Sequence, residues 1–470
     1  MTQIPSVVFP RLATSVVARR YVSDGASRVV LFDSSADDVL SIRDREWEII
    51  AAADGTRDLA GVAIAAGRQG VRVTPQEVGR LIGQLAQRGM MVATPEPSPP
   101  PVAPVPPEDR PVVPMPGYGL RCDRSGGCCR MYSTVLFSPA DAERARALLP
   151  ARTFGPMTPE RAFLPVRGSV PGGGVAMTLL DGACGYLDGD GGCTIHAAAG
   201  AEAKPTGCHV YPAIFIDDGA EVRVAIKTEC ACVLDSAGRP GGEPLVQPAV
   251  QRAEQLPTTT VVSRLRARLQ ITAIATIDRA TARQWADRWF HSDAPPDPAG
   301  ACWAMADGLP EDPTTRWTGG APVPSVDAVR PYVQALARRA SARARVDARW
   351  RSESDRVRRI GDWVATAATE LADATLLTQV LAGLPQDPAR EGFYVRAAAY
   401  GYLPFDENLQ TLHNGLRDLA VRLWLSRHMA AVATEPVAAE DALTTLEAWL
   451  RAYGCWRYIL DPSARLSEGS

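Results

Sequence analysis

The chain has almost no lysine. Of its 50 basic residues only Lys204 and Lys227 are lysine. It has no surplus of positive charge either: the net charge is −3, whereas a dedicated nucleic-acid binder is normally basic. No nucleic-acid partner is expected, and the arginine bias beside abundant Ala, Gly and Pro reads as a mark of GC-rich coding. No apolar run approaches the roughly 18–20 residues that span a bilayer, so no membrane partner is expected. The segment Met1 to Arg20 lacks a basic start followed by an apolar stretch, and Pro5 and Pro10 interrupt it. That argues against a signal peptide and makes a cytoplasmic location the expectation. Core-forming residues are not lacking: 46% of the chain is apolar and 22% charged, an ordinary globular composition that excludes wholesale disorder. Length alone, 470 residues, predicts about three domains.

One boundary stands out. Between Pro95 and Pro116 lie 11 prolines in 22 residues, a composition that favours extended polyproline II and reads as a semi-rigid spacer. The expected segmentation is therefore a first domain over 1–94, a proline-rich linker over 95–116, a cysteine-rich domain over 117–245 and a helical domain over 246–470.

Within the first domain, Arg28 to Phe32 is β-rich, and Val39 to Ile42 suits its hairpin partner. Asp44 to Ala52 places Trp47, Ile50 and Ala51 on one helical face, and Thr56 or Asp58 can cap a second helix through Ala65. A third helix starts at Thr74-Pro75-Gln76-Glu77, with Thr74 at the N-cap, Pro75 at the first helical position and Glu77 completing a capping box. Val78, Leu81, Ile82 and Leu85 follow at i, i+3, i+4 and i+7. Gly89 closes the helix, and Met90 to Val92 suits a last strand. These elements predict a small winged-helix-like unit. Over about 70 residues, the strand pair, Leu40-Ser41-Ile42, Ala53-Asp54-Gly55-Thr56 and the helix ending in Gly89-Met90 resemble the PqqD-like family of peptide-recognition modules. The resemblance implies a peptide or protein partner docked by strand addition, in which backbone hydrogen bonds supply affinity and side pockets specificity.

Residues 247–290 and 323–455 are Ala/Arg/Leu-rich with helical spacing and few strand signals. The clearest seam is Phe405, Leu409, Leu412, Leu416, Leu419 and Leu423, one apolar stripe of a bundle helix. Nine arginines between Arg338 and Arg359 face only Asp347, Glu353 and Asp355, which suits a solvated helix face or a landing strip for an acidic partner.

Eight of the ten cysteines fall within 111 residues: Cys122, Cys128, Cys129, Cys184, Cys193, Cys208, Cys230 and Cys232. Cys302 and Cys455 sit alone in helical segments and suit core positions, since cysteine packs as a small hydrophobe. In a reducing compartment disulfides are rare. Gathered thiolates repel one another unless a cation compensates them, and a bound metal does so while deprotonating the sulfur. Four thiolates suit one zinc ion or one iron–sulfur cluster, so eight suit two such sites, or one with spare ligands. His196 and His209 are the neighbouring histidines and either could complete a mixed site; a solvated histidine in a turn is the blander alternative. Asp188-Gly189-Asp190-Gly191-Gly192 lacks the downstream glutamate of a calcium loop and predicts a tight turn. Pro171-Gly172-Gly173-Gly174 lacks the Lys-Ser/Thr of a phosphate loop, and no acidic-Gly-x-Gly-x-Gly pattern of the usual methyl-donor fold occurs.

Three stretches carry a second resemblance, over residues 120–235. They are Cys122-x5-Cys128-Cys129-Arg130 with the capped helix at Ser138-Pro139-Ala140-Asp141, then Cys184-Gly-Tyr-Leu-Asp188 to Cys193-Thr-Ile-His196, and Lys204-Pro205-Thr206-Gly207-Cys208-His209-Val210-Tyr211-Pro212. In order and spacing they resemble the YkgJ-type CxxCxxCC cysteine-cluster family, described as zinc- or iron-chelating and including flagellin lysine-N-methylase. The chain departs from that pattern with one cysteine where a preceding CxxC is common, and with His196 where an aromatic is usual. The stretch from Tyr402 through Phe405 to Leu409 is similar to what those methylases carry after the cluster. The resemblance implies that the eight cysteines are metal ligands of an iron–sulfur cluster or Zn. It also implies methyl transfer to lysine with S-adenosylmethionine as donor. A non-catalytic, zinc-braced adaptor is the alternative. The expected fold class is α+β multidomain: a winged-helix-like first domain, a metal-held cysteine-rich lobe and a mostly α-helical C-terminal domain.

Overall fold

The computed structural model describes residues 7–23, 25–33, 38–98, 108–122, 129, 136–148, 162–166, 174–200, 203–257, 260, 262–309, 323–351, 353, 355–385, 387–405, 411–434 and 441–452. They form a mixed α/β structure of many helices and several small sheets. The chain divides into two compact units, residues 1–105 with 132–207, and residues 106–131 with 208–470. This division cuts across 117–245, which the sequence segmentation treats as one lobe.

The first unit begins with β1 (Phe9–Leu12), β2 (Val16–Ser23), β3 (Ala26–Asp33) and β4 (Asp38–Ile42), followed by α1 (Asp44–Ala52), α2 (Leu59–Arg68), α3 (Pro75–Gln87) and β5 (Met91–Thr94). The expected hairpin is present, with Val29 opposite Ile42 and Leu31 opposite Leu40. The α1 helix spans the residues expected of it and buries Trp47 and Ile50. Asp58 caps α2 by accepting from the Gly61 amide, while Thr74 and Glu77 form the expected capping box of α3. The last strand expected at Met90 to Val92 is found at Met91–Thr94, paired with β1.

A further strand lies where the sequence suggested none. β2 pairs antiparallel with β3 along eight residues, which makes β3 an inner strand and explains why Val29 to Asp33 are all buried. Arg19 and Arg20 break the apolar pattern of β2, yet both are buried. Arg20 is paired with Asp44 at 3.0 Å and Glu48 at 3.7 Å on α1. One core joins β2, β3, α1, α2 and α3, and Leu164, from the later part of the unit, belongs to it. Each such fully buried apolar side chain contributes about 1.5–3 kcal/mol.

In the second unit a four-stranded sheet runs Val262–Arg264, Ala213–Asp217, Val222–Ile226, Val112–Pro114. Its edge strand Val112–Pro114 lies inside the segment read as a proline-rich spacer, with Val112 and Met115 buried. Proline is tolerated there because an edge strand leaves one row of amides unpaired. Residues 247–278, expected to be helical, instead carry the strands Val262–Arg264, Arg268–Gln270 and Thr276–Asp278. Apart from the short 3-10 turn Ala253–Gln255, the first helix among the described residues of this stretch starts at Arg279, where Asp278 accepts from the Thr281 amide.

The bundle that follows packs around helix Leu412–Ala431, which buries Leu412, Leu416, Leu419 and Leu423 of the expected seam. Phe405 is buried in a separate short turn, Leu403–Phe405, and Leu409 lies outside the described residues. The helix buries nearly every face, so its polar residues need internal partners. Arg422 is held by Asp418 and by Glu447 at 2.9 Å, and His428 lies 3.0 Å from Glu370. The arginine-rich helix Val326–Trp350 is not uniformly solvated. Arg338, Arg345 and Arg349 are exposed, but Arg339, Arg343 and Asp347 are buried one turn apart, and Arg351 bridges Asp347 and Asp355. No helix among the described residues is long and apolar enough to cross a membrane.

Candidate functional site

Each unit contains a short cysteine-bearing turn with a tyrosine packed beside it, Tyr186 buried in the first and Tyr118 half-buried in the second. In the first unit, Leu179–Leu180 and Ala183–Cys184 form a two-stranded ribbon, with Leu179 opposite Cys184. Asp181 (φ 45°) and Gly182 (φ 80°) are its turn residues. Two successive left-handed residues are the requirement of a type I′ hairpin, which Asp-Gly satisfies. Past Cys184 the chain turns again, the Leu187 amide donating to the Cys184 carbonyl at 3.0 Å. Asp188 closes the next loop: its amide donates to Gly192 O at 2.8 Å, and its Oδ1 accepts from the amides of Asp190 and Gly192. The carboxylate thus serves its own loop, in keeping with a tight turn rather than a calcium site. Cys193 bridges back to Leu187 and stands at the N-cap of helix Thr194–Ala199.

Tyr186 is the centre of this turn. Its ring is buried against Phe137 and Phe163, its hydroxyl donates to Ala145 O at 2.6 Å, and its carbonyl accepts from both the amide and the hydroxyl of Thr194. Burial pushes the phenol's pKa up, and charge on Cys184 and Cys193 pushes it the same way, against Arg146.

The second unit repeats the arrangement. Ala213–Asp217 and Val222–Ile226 pair antiparallel, and beyond Ala213↔Ile226 the Lys227 amide donates to Pro212 O at 2.9 Å. This brings the start of the hairpin, just past Cys208, beside the segment Lys227 to Cys230. Cys230 is the N-cap of helix Ala231–Ser236, which carries Cys232. Residues 117–122 are fastened along that helix. Tyr118 donates to Val233 O at 3.1 Å, the Arg121 amide to Ser236 Oγ at 2.9 Å, and Leu120 exchanges backbone hydrogen bonds with Glu243. Ser236 in turn donates to Cys232 O at 2.6 Å. Cys122, exposed, follows Arg121 directly. Burial raises the pKa of Tyr118, and charge on Cys230 and Cys232 adds to it while a hydrogen bond with Ser236 opposes it.

Behind this turn lies a buried ionic network. Thr228 Oγ1 donates to Glu447 Oε2 at 3.5 Å. Glu447 also accepts from Tyr394 at 2.7 Å and from Arg422 at 2.9 Å. The network fixes the chain two residues before Cys230.

Of the eight cysteines, Cys184 and Cys193 belong to the first unit; Cys122, Cys129, Cys208, Cys230 and Cys232 belong to the second. Cys128 lies outside the described residues. His196 and His209 are exposed on their short helices, as solvated residues would be. Cys302 is fully buried, and burial pushes its thiol up, assisted by Asp297 and Glu391. That suits a core residue. Cys455 lies outside the described residues. Among the described residues, no three cysteine, histidine or carboxylate side chains converge into a metal-binding group. Cys122, Cys208, Cys230 and Cys232, all described, therefore do not meet as a four-thiolate group in the second unit, and the described thiols of the first unit are Cys184 and Cys193.

Sequence reasoning missed both tyrosines and the ribbon. The ribbon had a signal, an Asp-Gly pair between Leu179-Leu180 and Ala183-Cys184. The tyrosines had none beyond their proximity to cysteine. The chain matches no protein-family model, no curated protein and no solved structure.

Proposed function

We propose that the protein binds zinc or an iron–sulfur cluster through its cysteine-rich residues 122–232 and modifies a peptide or protein recruited by its N-terminal residues. The observation that carries this reading is the fastening of the segment that leads to Cys122 along the helix Ala231–Ser236, which carries Cys232 and has Cys230 at its N-cap. Tyr118, Arg121 and Ser236 hold the approach to Cys122 against the helix that bears Cys230 and Cys232. The ligands are Cys122, Cys208, Cys230 and Cys232, with Cys128 and Cys129 as further donors and Cys184 and Cys193 as a separate pair. A metal bound there supplies either electron transfer, as an iron–sulfur cluster, or fixed structure and Lewis acidity, as zinc. The N-terminal elements suit a winged-helix-like, PqqD-like docking module. The resemblance to flagellin lysine-N-methylase makes lysine methylation, with S-adenosylmethionine as donor, the reaction of choice. The expected setting is the cytoplasm.

A second reading, a non-catalytic adaptor braced by zinc, draws support from the burial of Cys230 and Cys232, each 6% exposed. Structural metal sites are closed, whereas catalytic ones keep an open position. Metal and acid-labile sulfide content, with an absorption spectrum, on anaerobically purified protein separates the two. Iron and sulfide in stoichiometric amounts support the enzyme. Zinc without sulfide supports the adaptor, and a protein free of both metals overturns the metal reading. Replacing Cys230 and Cys232 by Ser is expected to abolish metal binding; unchanged metal content would sink these ligands.

A further inference from the structure

The ribbon Leu179–Cys184 is attached to the rest of its unit in an unusual way. It joins the N-terminal sheet by parallel pairing with the end of β2, Leu179 opposite Tyr21 and Leu180 opposite Val22. The sheet order is therefore Ala183–Cys184, Leu179–Leu180, β2, β3, β4. Two further hydrogen bonds complete the attachment: the Asp181 amide donates to Val22 O at 2.9 Å, and Ser23 Oγ donates to Asp181 Oδ1 at 2.8 Å. The second is exposed. An isolated two-stranded ribbon is marginally stable in water; this one gains its sheet partner from β2 and packs Leu180 and Cys184 against the core of Phe137, Phe163 and Tyr186. The chain thus occupies the end of β2 with one of its own extended segments, by the backbone pairing through which sheets capture extended peptides.

We propose that this ribbon is a displaceable strap. An extended peptide that adds to the end of β2 takes the place of Leu179–Leu180 and lifts Cys184 off the core that contains Tyr186. Occupancy of the sheet and geometry of the first cysteine turn are then linked. The strap is short, two residue pairs, and its fold-back rests on Asp181 and Gly182 being left-handed. A β-branched residue does not adopt that conformation without strain. The inference deepens the proposed peptide-modifying function and rests on it for its biological use.

The test uses the full-length chain and a labelled synthetic peptide, Ala176–Asp181, that contains the paired residues Leu179 and Leu180 with the residues flanking them. In Gly182→Val the ribbon loses its turn. Hydrogen exchange in segments 16–23 and 179–184 is expected to rise together, by tenfold or more. The peptide is expected to bind the variant at least tenfold more tightly than the wild type, restoring protection to 16–23. The milder Asp181→Ala, which removes the contact to Ser23, is expected to move both readouts in the same direction by a smaller factor and guards against a variant that fails to fold. Equal peptide binding by wild type and both variants, including none by any, would overturn the strap. So would loss of protection in 179–184 with none in 16–23. Neither readout involves metal or the natural substrate, so the strap and the metal reading fail separately.

Discussion

Cys193 and Cys230 occupy nearly identical backbone positions in different units. Each is the N-cap of a six-residue helix, with φ and ψ of −98° and 117° for one and −97° and 119° for the other. Each has a nearby tyrosine whose hydroxyl is locked to a main-chain carbonyl, Ala145 O or Val233 O. Their support differs. The Cys193 turn leans on a small aromatic core and on a ribbon that pairs with the N-terminal sheet. The Cys230 turn is buried, and a network of Arg422, Glu447, Tyr394 and Thr228 backs it. The same local design thus rests on strand pairing in one unit and on buried charge in the other, so the two should fail in response to different injuries.

The largest difference is expected on deleting residues 1–94. That deletion removes β2, the ribbon's partner, and the residues that cover Leu164. Alkylation of Cys184 and Cys193 should accelerate at least tenfold, while Cys230 keeps its wild-type rate. If Cys184 and Cys193 stay protected, the ribbon does not depend on the sheet. The converse injury is Arg422→Ala. It leaves Asp418 and Glu447 as buried carboxylates without their counter-charge, a loss of about 3–5 kcal/mol for a broken buried pair. Denaturant unfolding should show it in the second unit alone, with hydrogen exchange across 16–42 unchanged. A loss below about 1 kcal/mol would mean that the network behaves as a surface pair.

How much of this was legible follows the range of the interactions. Helices α1 and α3 could be read to the residue because Thr74, Pro75 and Glu77 act within one turn of each other. β2 could not, because Arg19 and Arg20 look like surface residues until Asp44 and Glu48 arrive from the next helix. The strands of 262–278 went unread for a similar reason: Arg264-Leu265-Arg266-Ala267-Arg268 satisfies both a helical and an alternating pattern, and only pairing decides. For the cysteines, the sequence names the residues and their turn chemistry. It does not say that Cys184 and Cys193 fold with the N-terminal sheet while Cys122 is fastened to the helix of Cys232. Those pairings depend on contacts more than a hundred residues apart, Tyr118 to Val233 among them.

A smaller effect is expected at Gly192. A methyl group there would lie 2.4 Å from Asp188 Oδ2, so Gly192→Ala forces the carboxylate off the amides of Asp190 and Gly192. Losing those hydrogen bonds costs about 1–2 kcal/mol. Cys193 alkylation should rise severalfold while Cys230 is unaffected; equal rates in variant and wild type would show that the loop does not hold Cys193.

The smallest and sharpest test compares the tyrosines. Tyr186→Phe and Tyr118→Phe each remove one hydroxyl hydrogen bond, a loss of about 1 kcal/mol apiece at neutral pH. Their alkaline behaviour says more. Burial raises both phenols in the folded state, and cysteine charge adds to it. The folded chain therefore holds these protons more tightly than the unfolded one. The associated stability is fully present below the unfolded phenol's pKa of about 10 and is lost as pH rises above it. Wild-type protein should lose stability steeply above that pH, and each Phe variant should lose it less steeply in its own unit. Metal that neutralises the thiolates of one turn removes their contribution at that tyrosine alone. A metal-dependent change in alkaline slope for Tyr118 but not Tyr186 would place the metal in the second unit; equal changes would place it in both.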